Sequence, residues 1–96
     1  MILGYRDRRT ERFARGEDIA AFRAFERQAR KRLRILGSAV ALRDLRGFPG
    51  NRLEALKGRR KGQWSIRINL RWRICFVWND GDAGPSEVEI VDYHDE

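Results

Sequence analysis

The chain has few cysteines and histidines, the residues that form disulfides and bind zinc. Its 96 residues include one cysteine, Cys75, and one histidine, His94. The single cysteine excludes an intrachain disulfide, and one cysteine with one histidine matches no zinc-ligand spacing. No apolar run approaches the roughly 18 residues of a membrane span, and the early charges argue against a signal peptide. We therefore expect a cytoplasmic protein that needs neither a metal nor another cofactor.

Positive charge, in contrast, is abundant and unevenly distributed. All 21 Lys and Arg lie in residues 1–78 with seven acids, which gives that part a charge of +14. Residues 79–96 hold the other seven acids and no base, a charge of −7. Eighteen of the cations are arginine, whose planar guanidinium binds phosphate bidentately and stacks on bases. Solubility alone is one explanation of this asymmetry. The asymmetry nevertheless favours a polyanionic partner, of which nucleic acid fits best.

Helical periodicity dominates the first half of the chain. Asp18 is a suitable N-cap for a helix that runs to about Leu36, where Gly37 ends it. Spacings of three, four and seven place five apolar residues on one face of this helix: Ile19, Phe22, Ala29, Leu33 and Leu36. We also expect an edge strand, a helical turn and a short helix at Ile2–Tyr5, Arg6–Arg15 and Val40–Leu45.

From Gln63 the apolar period changes to two, which is typical of strands. The strands are expected over 63–68, 72–78 and Glu87–Tyr93, with their apolar residues facing a core: Trp64, Ile66, Ile68, Trp72, Ile74, Phe76, Val88 and Ile90. Helices followed by antiparallel strands predict an α+β fold, in which the N-terminal helices pack on one face of a small antiparallel sheet.

The same alternation assigns a second set of residues to the other, uncovered sheet face: Arg67, Arg73, Cys75, Val77 and Tyr93. Two arginines and a tyrosine on such a face are suited to an anion or a nucleotide. A solvated polar face, with an arginine paired to Glu89 across the strands, fits this pattern equally well.

Three short motifs in the second half carry a family resemblance. They are Leu56-Lys57-Gly58, Trp72-Arg73-Ile74 and the terminal Asp92-Tyr93-His94. In this order, and in a chain of this length, they resemble the HigB toxins, or plasmid maintenance killer proteins, of the RelE/ParE superfamily. The resemblance is close over 51–94 and extends only to the layout of elements before that. It implies a single RelE-like toxin domain over residues 1–96.

The resemblance also implies a function. HigB toxins belong to type II toxin–antitoxin systems and are ribosome-dependent endoribonucleases that inhibit translation by cutting mRNA. Their partner is a HigA-like antitoxin with a helix-turn-helix. The family's catalytic residues correspond here to Lys57, Arg73, Asp92, Tyr93 and His94. Some members have a further histidine where this chain has Glu54, which makes Glu54 a candidate for the second acid–base group; the alternative is that His94 works with Tyr93.

RNA cleavage without a metal requires a base, an acid and cations near the phosphorus. His94 is the only side chain whose ordinary pKa is near neutrality, so it is suited to proton transfer. Lys57 and Arg73 are expected to stabilise the charged transition state. Tyr93 is expected to stack on a base or to join in proton transfer, and Asp92 to orient His94.

Two features bear on this assignment. Strict alternation places Asp92 and His94 on the core side of the last strand and Tyr93 on the other side, so they meet only if the strand ends or bends. The cations that we expect to bind RNA are Arg59, Arg60, Lys61 and Arg67. The first three are expected to contact the backbone without joining the chemistry, whereas Arg67 is also a candidate for stabilising the transition state.

Two alternatives share the same fold and charge. A non-catalytic module that binds RNA or the ribosome would keep the basic surface. A ParE-like gyrase inhibitor would not need the acid–base cluster at Asp92-Tyr93-His94.

Overall fold

A computed structural model describes residues 1–93, so the predicted catalytic residue His94 lies outside the described residues. Helices α1 and α2 span Arg8–Ala14 and Glu26–Ser38, and 3-10 helices span Ala20–Phe25, Leu42–Gly47 and Gly58–Arg60. Strands β1 to β4 span Glu54–Ala55, Trp64–Arg67, Trp72–Val77 and Ser86–Asp92. The predicted α+β class is confirmed. None of the helices within residues 1–93 has the length and apolar character needed to cross a membrane.

The four strands form one antiparallel sheet in the order β1-β2-β3-β4. Ile66 pairs with Ile74, which in turn pairs with Ile90. Directly paired residues share a face, so these three side chains face the helices, and all are completely buried. The other residues predicted for this face are also in the core, although Trp64 and Trp72 are only partly buried at its margin. The predicted facing of the strand residues is therefore confirmed.

The helices meet the sheet through an aromatic cluster. The ring centroids of Phe22 and Phe25 lie 5.8 and 4.8 Å from that of Trp72, and the Phe13 ring packs edge-on against Phe22 at 5.1 Å. In a 3-10 helix, residues three apart eclipse each other. Ala20–Phe25 therefore directs Phe22 and Phe25 at the same tryptophan.

The prediction of one long helix from Asp18 to Leu36 is wrong about where the helix starts. It is divided into the 3-10 helix Ala20–Phe25 and α2, and Ile19 precedes the first turn without a side-chain cap. The Asp18 carboxylate instead accepts hydrogen bonds from Arg23 at 2.8 to 3.1 Å, and these bonds lower the pKa of Asp18. A carboxylate held by Arg23 does not cap the backbone.

The shorter predicted elements are present in altered form. Ile2–Tyr5 is no strand but forms a single parallel bridge, between Tyr5 and Val88. The helix predicted at Val40–Leu45 is the 3-10 helix at Leu42–Gly47. It starts later because the Asp44 carboxylate accepts the backbone N–H of Val40 and Ala41, both at 3.0 Å, which lowers the pKa of Asp44.

Helix α1 is joined to the sheet through Thr10. Its hydroxyl oxygen accepts the backbone N–H of Ile90 at 3.0 Å, and its own N–H donates to the N-cap carboxylate of Asp7 at 3.0 Å. Thr10 and Ile90 are both completely buried. One side chain therefore satisfies a strand N–H that water cannot reach.

We predict that Thr10→Val lowers the free energy of unfolding by about 1–3 kcal/mol, because it leaves the buried N–H of Ile90 without an acceptor. Thr10→Ser keeps the hydroxyl and should cost less. Urea denaturation followed by tryptophan fluorescence measures both. Equal stability of Thr10→Val and the wild type would contradict the assigned hydrogen bond.

Candidate active site

A groove of about 880 Å³ lies on the sheet face opposite the helices, and we call it the basic groove. Its lining residues are Arg6, Glu54, Ala55, Leu56, Lys57, Arg59, Arg60, Gln63, Cys75, Val91 and Tyr93. It therefore brings together five of the residues predicted from the sequence: Glu54, Lys57, Arg59, Arg60 and Tyr93. They come from two separate parts of the chain, residues 54–60 and Tyr93, which the sheet brings together.

The short strand β1 places Glu54 and Lys57 at one side of this groove. Glu54 pairs with Ser65 of β2, so the two side chains share the groove face of the sheet. Beyond β1, the Leu56 N–H donates to the carbonyl of Gln63 at 2.9 Å. Gly58 follows Lys57 with a φ of +63°, a conformation that glycine adopts freely, and so turns the chain there. Glu54 and Lys57 both remain exposed.

Arg73 is close to the groove but buried, with 9% of its surface exposed. Its Nε donates to the Ser65 hydroxyl at 2.7 Å and its Nη2 to the Arg52 carbonyl at 2.9 Å. Its guanidinium carbon lies 5.3 Å from the centre of the Tyr93 ring. The expectation of an uncovered face is therefore wrong for Arg73, and also for Cys75, which is 2% exposed. The Arg52 carbonyl, from the segment before β1, and the Tyr93 ring both contact Arg73.

Tyr93 directly follows β4 and is 44% exposed. Its N–H donates to the carbonyl of Arg71 at 2.6 Å, which holds the residue beside β3. Its side chain lines the groove, and its ring also contacts the Arg73 guanidinium. In this position it can contact a base and the Arg73 cation together.

The structure separates Asp92 from these residues. Asp92 pairs with Trp72 on the core face of the sheet, is 8% exposed, and accepts a hydrogen bond from Arg71 Nε at 2.6 Å. The alternation expected for Asp92 and Tyr93 thus holds, and Asp92 does not line the groove. Its predicted role toward His94 stays a prediction.

The cations predicted to bind RNA fall into two groups. Arg59 and Lys61 are exposed, and neither makes an ion pair within the described part of the chain. Arg60 instead donates to Glu89 at 3.1 Å and to Gln63 at 3.0 Å. Arg67 is half-buried and donates to the carbonyl of Asn69 at 3.2 Å. Arg59 and Lys61 are thus the better suited to bind phosphate.

Several residues around the groove were not predicted. Ser65, completely buried, and the Arg52 carbonyl both bind Arg73. Alternation alone assigns Ser65 to the same face as Arg73, so the sequence held a signal for it. Arg6 reaches the groove because its N–H binds the carbonyl of Val88 at 2.9 Å, a long-range contact that no local pattern indicates.

This arrangement is suited to a phosphodiester. A carboxylate, exposed cations and a tyrosine line one groove, and a buried arginine lies beside it. A carboxylate is suited to accept a proton, and cations are suited to stabilise a charged phosphorus centre. Within residues 1–93, no three His, Cys, Asp or Glu side chains form a group that would hold a metal ion.

Comparison with known proteins places the chain in a family. The family model described as the RelE-like toxin of type II toxin-antitoxin system HigB matches residues 3–94. Toxin HigB-1 of Vibrio cholerae serotype O1 is 41% identical over 87 residues, which cover 86% of this chain and 90% of that toxin. Endoribonuclease HigB of Proteus vulgaris is 46% identical over 43 residues, or 45% of each chain. Because the family match spans nearly every residue of the fold and the groove, the chain belongs to the HigB family of RelE-like toxins.

Proposed function

We propose that this toxin is an endoribonuclease that cuts mRNA on the translating ribosome in the cytoplasm. The observation that carries the proposal is the meeting of Glu54, Lys57 and Tyr93 in one groove, with the cation of Arg73 beside it. The printed name of the Proteus vulgaris relative, an endoribonuclease, supports the reaction class. As a type II toxin the protein has a cognate antitoxin, which we propose to be a HigA-like helix-turn-helix protein.

The proposed reaction needs no metal. A base takes the proton of a ribose 2′-hydroxyl, and the 2′-oxygen attacks the adjacent phosphorus. The bond to the 5′-oxygen breaks, that oxygen takes a proton from an acid, and a 2′,3′-cyclic phosphate remains. We assign the base to Glu54, which is exposed in the groove, and the acid to His94, the only imidazole of the chain.

The cations stabilise the transition state. Lys57 is exposed beside Glu54 and contacts the phosphate oxygens directly. Arg73 makes no ion pair within the described residues, so its charge is available to an incoming anion. Tyr93 stacks on a base of the message. Charge stabilisation of this kind is usually the largest contribution to catalysis.

We predict that Glu54→Gln slows cleavage of a ribosome-bound message by about 10²–10⁴-fold, the usual effect of a positioned acid or base. Glu17→Gln, which removes an exposed carboxylate after α1, is the matched control and should cleave normally. The measurement is single-turnover cleavage on purified ribosomes. Full activity of Glu54→Gln would exclude Glu54 as the base.

His94→Gln should cause a loss of the same size, about 10²–10⁴-fold, with ribosome binding retained. Toxicity on expression and cleavage by the purified protein are measured together. If both stay at the wild-type level, His94 is not the acid. If the wild-type toxin binds ribosomes and cleaves no message, the protein is a binding module instead.

Arg59→Ala combined with Lys61→Ala should weaken binding to mRNA-programmed ribosomes and reduce the slope of log K against log salt by about 2, because two phosphate contacts are lost. The control is Arg27→Ala with Lys31→Ala, an equal charge change on the exposed side of α2. An equal effect of the two pairs would mean that net charge, rather than the groove, governs binding.

A further inference from the structure

Arg73 is held in a way that distinguishes it from the other arginines near the groove. Its guanidinium is bound by a hydroxyl and a backbone carbonyl and is covered by the Tyr93 ring. These partners are all neutral. Within residues 1–93, the hydrogen bonds engage only Nε and one N–H of Nη2. The remaining three N–H groups are left for another acceptor.

The Ser65 hydroxyl is itself fixed in place. Ser65 is completely buried in β2, opposite Glu54 on one side and Cys75 on the other. Its hydroxyl accepts the Arg73 Nε proton at 2.7 Å, the shorter of the two bonds to that guanidinium. A buried strand residue paired on both sides has little freedom to move, so the hydroxyl is a rigid acceptor.

The second acceptor, the Arg52 carbonyl, is held by its neighbours. Arg52 has a φ of +46°, which residues other than glycine rarely adopt. Asn51 anchors this turn, because its side chain donates to the Leu45 carbonyl at 3.0 Å and accepts from Arg32 at 2.6 Å. The Asn51 carbonyl also accepts the Arg67 N–H at 2.6 Å. The turn thereby keeps its strained conformation and directs the carbonyl at Arg73.

We propose that Ser65 is the positioning residue for Arg73: its hydroxyl, with the Arg52 carbonyl, fixes the guanidinium so that its remaining N–H groups face the phosphate of the RNA. This inference rests on the proposed function, since it gives Arg73 its orientation in that reaction. Ser65 acts through Arg73 and does not contact the RNA.

The cleavage test is a double-mutant cycle. Ser65→Ala should lower the single-turnover rate constant by up to about 10²-fold, the effect of a misplaced catalytic group, with no change in ribosome affinity. Ser65→Thr, which keeps the hydroxyl, should restore most of the rate. In Arg73→Lys the lysine cannot bind the Ser65 hydroxyl and the Arg52 carbonyl together. Adding Ser65→Ala to Arg73→Lys should therefore lower the rate constant no further. Ser86→Ala in β4 is the matched control and should cleave normally.

A second measurement does not depend on activity. The Arg73 Nε–H signal in a ¹H–¹⁵N spectrum, assigned by its loss in Arg73→Lys, should exchange slowly with water in the wild type. In Ser65→Ala it should exchange as fast as the signals of exposed arginines. Equal exchange in both proteins would overturn the inference, whether or not the toxin cleaves.

The outcomes separate the two proposals. Wild-type cleavage by Ser65→Ala beside a defective Arg73→Lys overturns the role of Ser65 and leaves the nuclease intact. The positioning role of Ser65 is also overturned if Ser65→Ala lowers the rate constant by the same factor in Arg73→Lys as in the wild type. Normal cleavage by Arg73→Lys excludes Arg73 from the catalytic machinery, while the exchange measurement still decides whether Ser65 orders it.

Discussion

Strand β3 pairs with β2 along one edge and with β4 along the other, and most of the molecule is arranged around these two pairings. Ile74, Phe76 and Trp72 face the helices, so the residues between them must face the opposite side. A shift of the register by one residue would bury the groove side chains and expose the core. The site is therefore as firmly placed as the core, because one alternation fixes both.

The burial of Arg73 carries a cost for folding. A guanidinium removed from water is usually paired with a carboxylate, because an uncompensated buried charge is unfavourable. Here a hydroxyl, a carbonyl and an aromatic ring contact it, and its two cross-strand neighbours are the apolar Val91 and a second cation, Arg67. The hydroxyl and the carbonyl accept hydrogen bonds from the guanidinium, but none of these groups neutralises its charge. The protein thereby keeps a fixed positive charge beside the groove, which an incoming phosphate would compensate.

The folded charge distribution differs from the one along the chain. The sequence separates a basic body from an acidic end, but β4 returns that end to the groove face. Glu89 lies 3.1 Å from Arg60 and 3.8 Å from Arg6, and Glu87 lies 3.8 Å from Arg6. Two cations of the groove are thus partly neutralised by internal carboxylates. The exposed Lys57 and Arg59 are the ones left to attract a polyanion.

The sequence alone determined the fold class, the sheet face on which each strand residue lies and the part of the core that the strands supply, since each depends on a period that neighbouring residues reveal. It also indicated Glu54, Lys57 and Tyr93, which the groove brings together. Only the tertiary structure decided the burial of Arg73 and the binding of Arg60 by Glu89, because both depend on residues at least 20 positions away. The same holds for the hydrogen bond from Arg71 to Asp92, although alternation alone already places Asp92 on the core face. Periodicity gives the face on which a side chain lies, but what covers that face depends on where distant segments pack.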